Sequence, residues 1–389
     1  MVTRKPVSLV KGKEDKGLTW PEEPGRFTAE TVDPFLLWCV KRGASDVTFQ
    51  SDRQGYQEID GVLYPATYRA LDAADMAAIL TKIYGPEAMA RLAGGNDLDL
   101  SYEVRPDRYT RHRFRVNITA ILSRGRDASQ ITMRALPNEP PTMRDLNIEQ
   151  HVIDHWAPRQ GMVIVTGPTG SGKTTLLASG CRMLLERPHG CGKMLTYESP
   201  IEYVYDMIES PRSLVAQTEI PRHLPSFDRG VRNALRRKPS VILVGEARDR
   251  ETISAAIEAS QTGHAVYTTT HTIGVAATVQ RMISTFETDE RSERAYALME
   301  TIRMIVTQSL VPRVNGGRMG VREWMIFPDD VREKLLDMDY VEWAAHIQRA
   351  IPNYGRTMAA SARIAFEKGQ IDRRWYLMLA SSTGGSGAS

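Results

Sequence analysis

Four short apolar runs in the second half of the chain predict buried β-strands. They are rich in β-branched residues and cover residues 162–166, 193–197, 241–244 and 266–270. Segments in which apolar residues recur with helical spacing separate them. This alternation is typical of a parallel sheet with crossover helices. We therefore predict an α/β domain over residues 147–380, with a pattern that becomes helical after Val311.

The hydrophobic pattern of residues 29–136 switches between the periods of helix and strand, which predicts a smaller α+β domain. Its helices and strands are expected at residues 33–42, 46–50, 72–84, 111–123 and 129–136. Three prolines break both patterns within residues 137–146, which are interpreted as an interdomain linker. The polar residues 1–28 and the Gly/Ser-rich residues 381–389 are interpreted as flexible tails.

Composition limits the classes of function. The chain has 389 residues and a formal net charge of +3, which gives no indication of nucleic-acid binding. No apolar run approaches the roughly 18 residues of a transmembrane helix. The three cysteines are too few for a disulfide framework and fit a reducing compartment. We therefore expect a cytoplasmic protein without direct membrane insertion, and we do not expect it to bind nucleic acid.

A glycine-rich loop directly after the first apolar run carries the strongest chemical signal. It matches G-x-x-x-x-G-K-[ST] and consists of Gly167, Pro168, Thr169, Gly170, Ser171, Gly172, Lys173 and Thr174. A strand before the loop and a helix from Thr175 onward are the context that this motif requires. Backbone N–H groups of such a loop bind phosphate oxygens, Lys173 would contact the β- and γ-phosphates, and the Thr174 hydroxyl would bind Mg²⁺. The sequence predicts an ATP site with Mg²⁺, in which Thr175 is included.

Carboxylates and a histidine follow the other apolar runs. Glu198 and Glu202 come after the second run, Glu246 after the third and His271 after the fourth. Because ligands bind beyond the carboxyl ends of parallel strands, these side chains are expected near the phosphates. Glu202 and Glu246 are candidates for orienting the attacking water and, for Glu246, for holding Mg²⁺. Glu198 could equally be a solvated loop carboxylate, and His271 and His264 could act on the γ-phosphate or only end a strand or loop.

Arginines line one face of a strand in the smaller domain. Strand periodicity places Arg111, Arg113 and Arg115 together, and Arg134 ends the next strand. One interpretation is a solvated sheet face. The alternative is that these side chains contact the phosphates of ATP bound to a neighbouring subunit, as arginine fingers do.

Four motifs occur in the order that is typical of a known family. These motifs occupy residues 167–174 (Walker A), 198–203 (Asp box), 241–249 (an atypical Walker B) and 262–272 (His box). In this order they resemble the secretion ATPases of the PilT/VirB11 type, which belong to the RecA-like P-loop superfamily. Further segments resemble the DotB subgroup of type IVB secretion systems and its conjugative-plasmid relatives, namely residues 196–202, 219–225 and 231–239.

The resemblance implies a fold, an assembly and residue roles. It implies a PAS-like N-terminal domain, a RecA-like ATPase domain with C-terminal helices, and a homohexamer that works with inner-membrane secretion or conjugation proteins. Glu202 would be the catalytic carboxylate and Glu246 the Walker B glutamate. The His-box pair, His264 and His271, would couple nucleotide state to conformation. Arginines that contact phosphate in this family fall at Arg113, Arg115 and Arg134.

Three alternatives stay open at the level of sequence. A pilus-retraction motor would have the same fold, but residues 330–336 match the helical segment of retraction motors only in part. A nucleic-acid translocase would also form a RecA-like ring, yet the chain lacks a basic stripe with interleaved aromatic residues. A scaffold protein that binds ATP without hydrolysing it would not need the retained glutamates.

Overall fold

The computed structural model describes residues 19–381. Contacts divide the chain into two compact units, Met1–Asn138 and Glu139–Ser389. The predicted tail segments 1–18 and 382–389 lie outside the described residues.

The first unit is a six-stranded antiparallel sheet with helices against its core face. Its elements are α1 (Ala29–Lys41), β1 (Asp46–Gln50), β2 (Tyr56–Ile59), β3 (Val62–Pro65), α2 (Ala73–Ile83), α3 (Ala88–Ala93), β4 (Leu98–Val104), β5 (His112–Ser123) and β6 (Arg126–Leu136). The strand order is β3-β2-β1-β6-β5-β4. Alternate residues of β5, such as Phe114, Val116 and Ile118, are buried in the core as the periodicity predicts.

The interpretation of residues 19–28 as a flexible tail is wrong. Trp20 and Phe27 are buried, and each ring packs against Phe35 of α1 at centroid distances of 5.4 and 5.6 Å. The backbone N–H of Phe27 also donates to the Asp75 carboxylate of α2 at 2.8 Å. Two aromatic anchors thus fix a segment whose overall composition is polar, and composition alone could not reveal them.

The second unit is an eight-stranded, mostly parallel sheet between helices. It contains α4 (Gln150–Asp154), β7 (Gly161–Thr166), α5 (Lys173–Leu185), β8 (Gly192–Glu198), β9 (Ser213–Glu219), α6 (Phe227–Ala234), β10 (Val241–Val244), α7 (Arg250–Gln261), β11 (Ala265–Thr269), α8 (Val275–Ser284), α9 (Arg291–Thr301), β12 (Ile302–Pro312), β13 (Arg318–Ile326), α10 (Asp329–Leu336), a 3₁₀ turn (Tyr340–Glu342), α11 (Trp343–Tyr354), β14 (Gly355–Arg356), α12 (Met358–Glu367) and α13 (Arg373–Ser381).

The strand order of this sheet is β14-β13-β12-β7-β11-β10-β8-β9. The four predicted strands are its central members, and each differs from its predicted bounds by no more than one residue. Strands β9, β12, β13 and β14 were not predicted. Because β13 and β14 follow Val311, the expectation that the pattern becomes helical after that residue is wrong. The predicted linker also begins the second unit, because Met143 is buried in its core.

Helix α5, which follows the glycine-rich loop, packs tightly against Trp156 through Gly180. A Cβ atom at residue 180 would lie 2.0 Å from the Trp156 ring. We expect Gly180→Ala to destabilise the second unit by about 1–3 kcal/mol, because the buried indole has no room to move away. Urea unfolding measures the change. Gly25→Ala is the control, since no atom lies within 4 Å of its new methyl group. Equal unfolding midpoints for both variants would contradict the tight contact.

Candidate nucleotide site

The glycine-rich loop joins β7 to α5 at the carboxyl edge of the parallel sheet. Gly167, Gly170 and Gly172 have positive φ angles of 140°, 76° and 80°, a region that residues with a Cβ rarely adopt. A Cβ on Gly167 would also lie only 2.3 Å from the carbonyl oxygen of Gln308 on β12. The glycines therefore allow both the turn and its close approach to the neighbouring strand.

Lys173 lies at the centre of the site. It is 7% exposed, and its Nζ donates to the carbonyl oxygens of Gly167 at 2.8 Å and Pro168 at 3.0 Å. Burial lowers the pKa of Lys173, whereas the charges of Glu246 and Glu202 act to raise it. Both carboxylates predicted at strand ends therefore lie near enough to act on this ammonium group.

His271 connects Lys173 to Glu246. Its Nδ1 is 3.3 Å from Lys173 Nζ, and its Nε2 is 3.1 Å from Glu246 Oε1. An ammonium group can only donate and a carboxylate can only accept. An imidazole whose Nδ1 accepts from Lys173 carries its proton on Nε2, beside the Glu246 carboxylate, and this tautomer is assigned from these contacts.

Backbone hydrogen bonds fix Glu246 beside the ends of β8 and β11. The N–H of Gly245 donates to Tyr197 O at 2.7 Å, and that of Ala247 donates to Thr269 O at 2.9 Å. These bonds continue the parallel ladder on each side of β10. Glu246 is thus held by the sheet itself, as its position after a buried strand predicts.

The segment that carries Glu202 is attached to the helix of the phosphate loop. The hydroxyl of Tyr203 lies 3.0 Å from Thr175 Oγ1. Gln217 on β9 donates to Tyr203 O at 2.8 Å. Tyr203 was predicted only as the last residue of the Asp box, and Gln217 was not predicted as part of the site. Sequence gave no signal for Gln217, since β9 itself was not predicted.

Glu198 differs from the other glutamates because its carboxylate is buried within the sheet. Its Oε1 accepts from Thr196 Oγ1 at 2.6 Å and from Gln217 Nε2 at 3.1 Å. It is therefore neither a solvated loop carboxylate nor placed like a group that reacts with substrate. These contacts connect it to the Glu202 segment through Gln217, and its role in catalysis stays a prediction.

His264 precedes the amino end of β11, whereas His271 follows its carboxyl end. The carbonyl oxygen of His264 accepts from the N–H of Gly161 at the start of β7, at 3.0 Å. Strand β11 lies between the two histidines, and its 5 residues span about 17 Å at roughly 3.3 Å per residue. The structure therefore does not place His264 beside the phosphate loop of its own chain. This fits the alternative in which His264 only ends a loop, and its role in the His box stays a prediction.

Threonines anchor the loop that carries His271. Thr166, at the end of β7, donates to Thr272 O at 2.6 Å and accepts from Thr270 Oγ1 at 2.9 Å. The hydroxyls of Thr272 and Thr278 on α8 are 2.7 Å apart. A displacement of the His271 loop would therefore alter hydrogen bonds to both β7 and α8.

The predicted arginines of the first unit fall into two classes. Arg113 is only 3% exposed and lies 3.8 Å from Glu103, which corrects its placement on a solvated face; Arg111 is buried too. Arg115 and Arg134 are exposed and stand directly opposite each other on β5 and β6. Arg134 also bonds Asp46 at 2.9 Å. The two guanidinium groups are therefore cross-strand neighbours on one exposed face of the sheet.

Oxygen donors at the loop suit a hard cation. Thr174 lies in the first turn of α5, and one Glu246 oxygen is buried 3.1 Å from His271 Nε2. Within residues 19–381 there is no group of three or more His, Cys, Asp or Glu side chains that could hold a metal. This donor set fits Mg²⁺, which is usually bound by one or two protein oxygens together with substrate phosphates and water.

No helix in residues 19–381 has the length and apolar character needed to cross a membrane.

Comparison with known proteins identifies the family. The profile described as "Type II/IV secretion system protein" matches residues 27–363. The chain belongs to this family. Among curated relatives, the type IV pilus retraction ATPase PilT of Pseudomonas aeruginosa is 31% identical over 88% of this chain and 96% of its own length.

Solved structures show the same relationship. The Legionella pneumophila ATPase DotB is 45% identical, with a TM-score of 0.89 over 94% of this chain and 99% of that chain. The pilus retraction motor PilT with bound ADP is 28% identical, with a TM-score of 0.77 over 90% of this chain and 96% of that chain. These findings confirm the α/β fold with a RecA-like ATPase domain. They also confirm that this secretion-family protein is an ATP hydrolase.

Proposed function

We propose that the protein is a cytoplasmic homohexameric ATPase that powers a type IVB secretion or conjugation apparatus at the inner membrane. The observation that carries this proposal is the match to DotB across nearly the full length of both chains. Specific ATPase activity that rises with protein concentration, together with a hexameric mass in the presence of ATP, would support it. A monomeric mass at protein concentrations where the specific ATPase activity has reached its maximum would contradict the ring.

The site divides the work of hydrolysis among its residues. The loop amides and Lys173 bind the phosphates, and Lys173 must leave some of its present carbonyl contacts to do so. Thr174 and Glu246 would hold Mg²⁺, which supplies charge neutralisation at the phosphates when bound. Glu202 orients the attacking water. Movement of Lys173 toward phosphate weakens its contact with His271, which gives that histidine a way to report nucleotide binding.

Glu202→Gln is expected to lower ATP turnover by about 100-fold or more, because the amide cannot accept a proton from water. Affinity for ATP should change little, since the phosphate ligands remain. Steady-state hydrolysis and binding of a fluorescent ATP analogue measure the two effects. Glu209→Gln is the matched control, an exposed glutamate of the same segment. Normal turnover in Glu202→Gln would exclude Glu202 as the catalytic carboxylate.

A pilus-retraction motor is the second candidate, favoured by the similarity to PilT over most of both chains. Expression in a Legionella pneumophila strain without DotB and in a Pseudomonas aeruginosa strain without PilT would separate the two. Under our proposal we expect the protein to restore secretion in the strain without DotB and not to restore twitching in the strain without PilT. The Glu202→Gln variant should restore neither. Restored twitching without restored secretion would favour retraction.

A further inference from the structure

Gln308 on β12 contacts the phosphate loop with both its backbone and its side chain. It is 3% exposed, and its Nε2 donates to Ser171 O at 2.7 Å. The absence of a Cβ at Gly167 makes room for Gln308 O, and a Cβ at Gly172 would lie 2.9 Å from Nε2. The loop is therefore shaped around this one residue, which lies outside the phosphate-loop motif.

Arg322 on β13 holds Gln308 from behind. The two residues are cross-strand partners, and Arg322 Nε donates to Gln308 Oε1 at 2.8 Å. This contact settles the orientation of the amide, so that its NH₂ group faces the loop. Arg322 is itself 3% exposed, which is costly for a cation unless its donors are satisfied.

The remaining donors of Arg322 bind the segment that leads into α4. They reach Leu146 O at 3.1 Å and Asn147 O at 3.3 Å, and the guanidinium lies 3.5 Å from the Glu149 carboxylate. The planar fork of arginine permits these contacts together with the bond to Gln308. One buried side chain thus joins the lead-in segment, residues 146–149, to the strand behind the phosphate loop.

We propose that Gln308 and Arg322 are positioning residues that hold the phosphate loop in its ATP-binding shape and link that shape to the position of the lead-in segment. The lead-in segment lies shortly after the boundary between the two units. Displacement of its carbonyl groups would pull on Arg322, then on Gln308 and on Ser171 O. The same connection works in reverse, so phosphate binding would stiffen the lead-in segment.

Gln308→Met tests the contact to the loop, because it keeps the length of the side chain and removes the donor. We expect ATP affinity to fall about five- to tenfold, as for the loss of one buried hydrogen bond, with kcat changed less than about twofold. Gln308→Glu should lower ATP affinity at least as much. Its carboxylate keeps Arg322 as a partner but places a second acceptor against the carbonyl oxygen of Ser171. Wild-type affinity in both variants, with only a lower Tm, would reduce Gln308 to a packing residue.

Arg322→Lys tests the link to the lead-in segment, because the donors of an ammonium group all lie on one nitrogen atom. They do not span the planar fork with which Arg322 contacts Gln308 and the two carbonyls from three separate nitrogens. We expect lower ATP affinity and faster hydrogen exchange at both residues 146–149 and the phosphate loop. Combined with Gln308→Met, its effect on affinity should be less than additive, since both act through one contact. Arg356→Met is the control, as Arg356 lies 3.9 Å from Glu149 without touching Gln308. Additive effects, or faster exchange at only one of the two segments, would overturn the link.

Discussion

Lys173→Ala is expected to lower ATP affinity by about 100-fold or more, a larger effect than removal of any other single side chain of the loop. The ammonium group is buried against the loop carbonyls, so water screens its charge only weakly. A phosphate group that replaces those neutral carbonyls would gain a strong charge-assisted bond. Titration with a fluorescent ATP analogue measures the loss.

The control for this variant is Lys193→Ala, whose ammonium group also donates to a backbone carbonyl, Arg237 O, at 2.7 Å. It is expected to bind ATP normally, because it lies at the opposite end of β8 from Glu198. Thermal unfolding of both variants separates lost binding from lost structure. ATP affinity within threefold of the wild type in Lys173→Ala would contradict the assignment of the phosphate site.

The central strands could be predicted because their burial leaves a simple pattern. All residues of β7, β10 and β11 are buried, so continuous β-branched runs mark them in the sequence. Strand β12 follows α9 without an intervening turn residue, so its apolar residues could not be separated from those of the helix. Strand β9 has a half-buried, mixed composition and gave no such pattern.

The part of the candidate site that could be predicted consists of residues that directly follow the strands of the parallel sheet. Glu246 and His271 directly follow buried strands, and the sheet brings them to the same edge as Lys173. The burial of Arg113 and the engagement of Glu198 by Gln217 depend instead on cross-strand neighbours. Such neighbours are set by register and strand order, which periodicity along one strand does not specify.

The register of the first unit's sheet leaves some arginines exposed and buries others, and only an exposed arginine can act between subunits. We propose that the exposed Arg115 and Arg134, and not the buried Arg113, contact phosphates on a neighbouring subunit. Arg134→Ala is then expected to lower hydrolysis by about 1,000-fold in the assembled protein, as for loss of an arginine finger. Arg126→Ala is the matched control, because Arg126 lies on the same strand and bonds an aspartate, Asp52, at the same 2.9 Å.

Mixing Arg134→Ala with Glu202→Gln distinguishes a contact between subunits from one within a chain. Each variant keeps the residue that the other lacks, so a mixed ring contains sites with an intact Glu202 facing a neighbour with an intact Arg134. Random assembly makes about a quarter of the interfaces complete, and activity should recover toward that fraction. If Arg134 acted on its own chain, every site would lack one residue and no mixture would recover. Recovery therefore requires both an assembly of subunits and an active site that two subunits share.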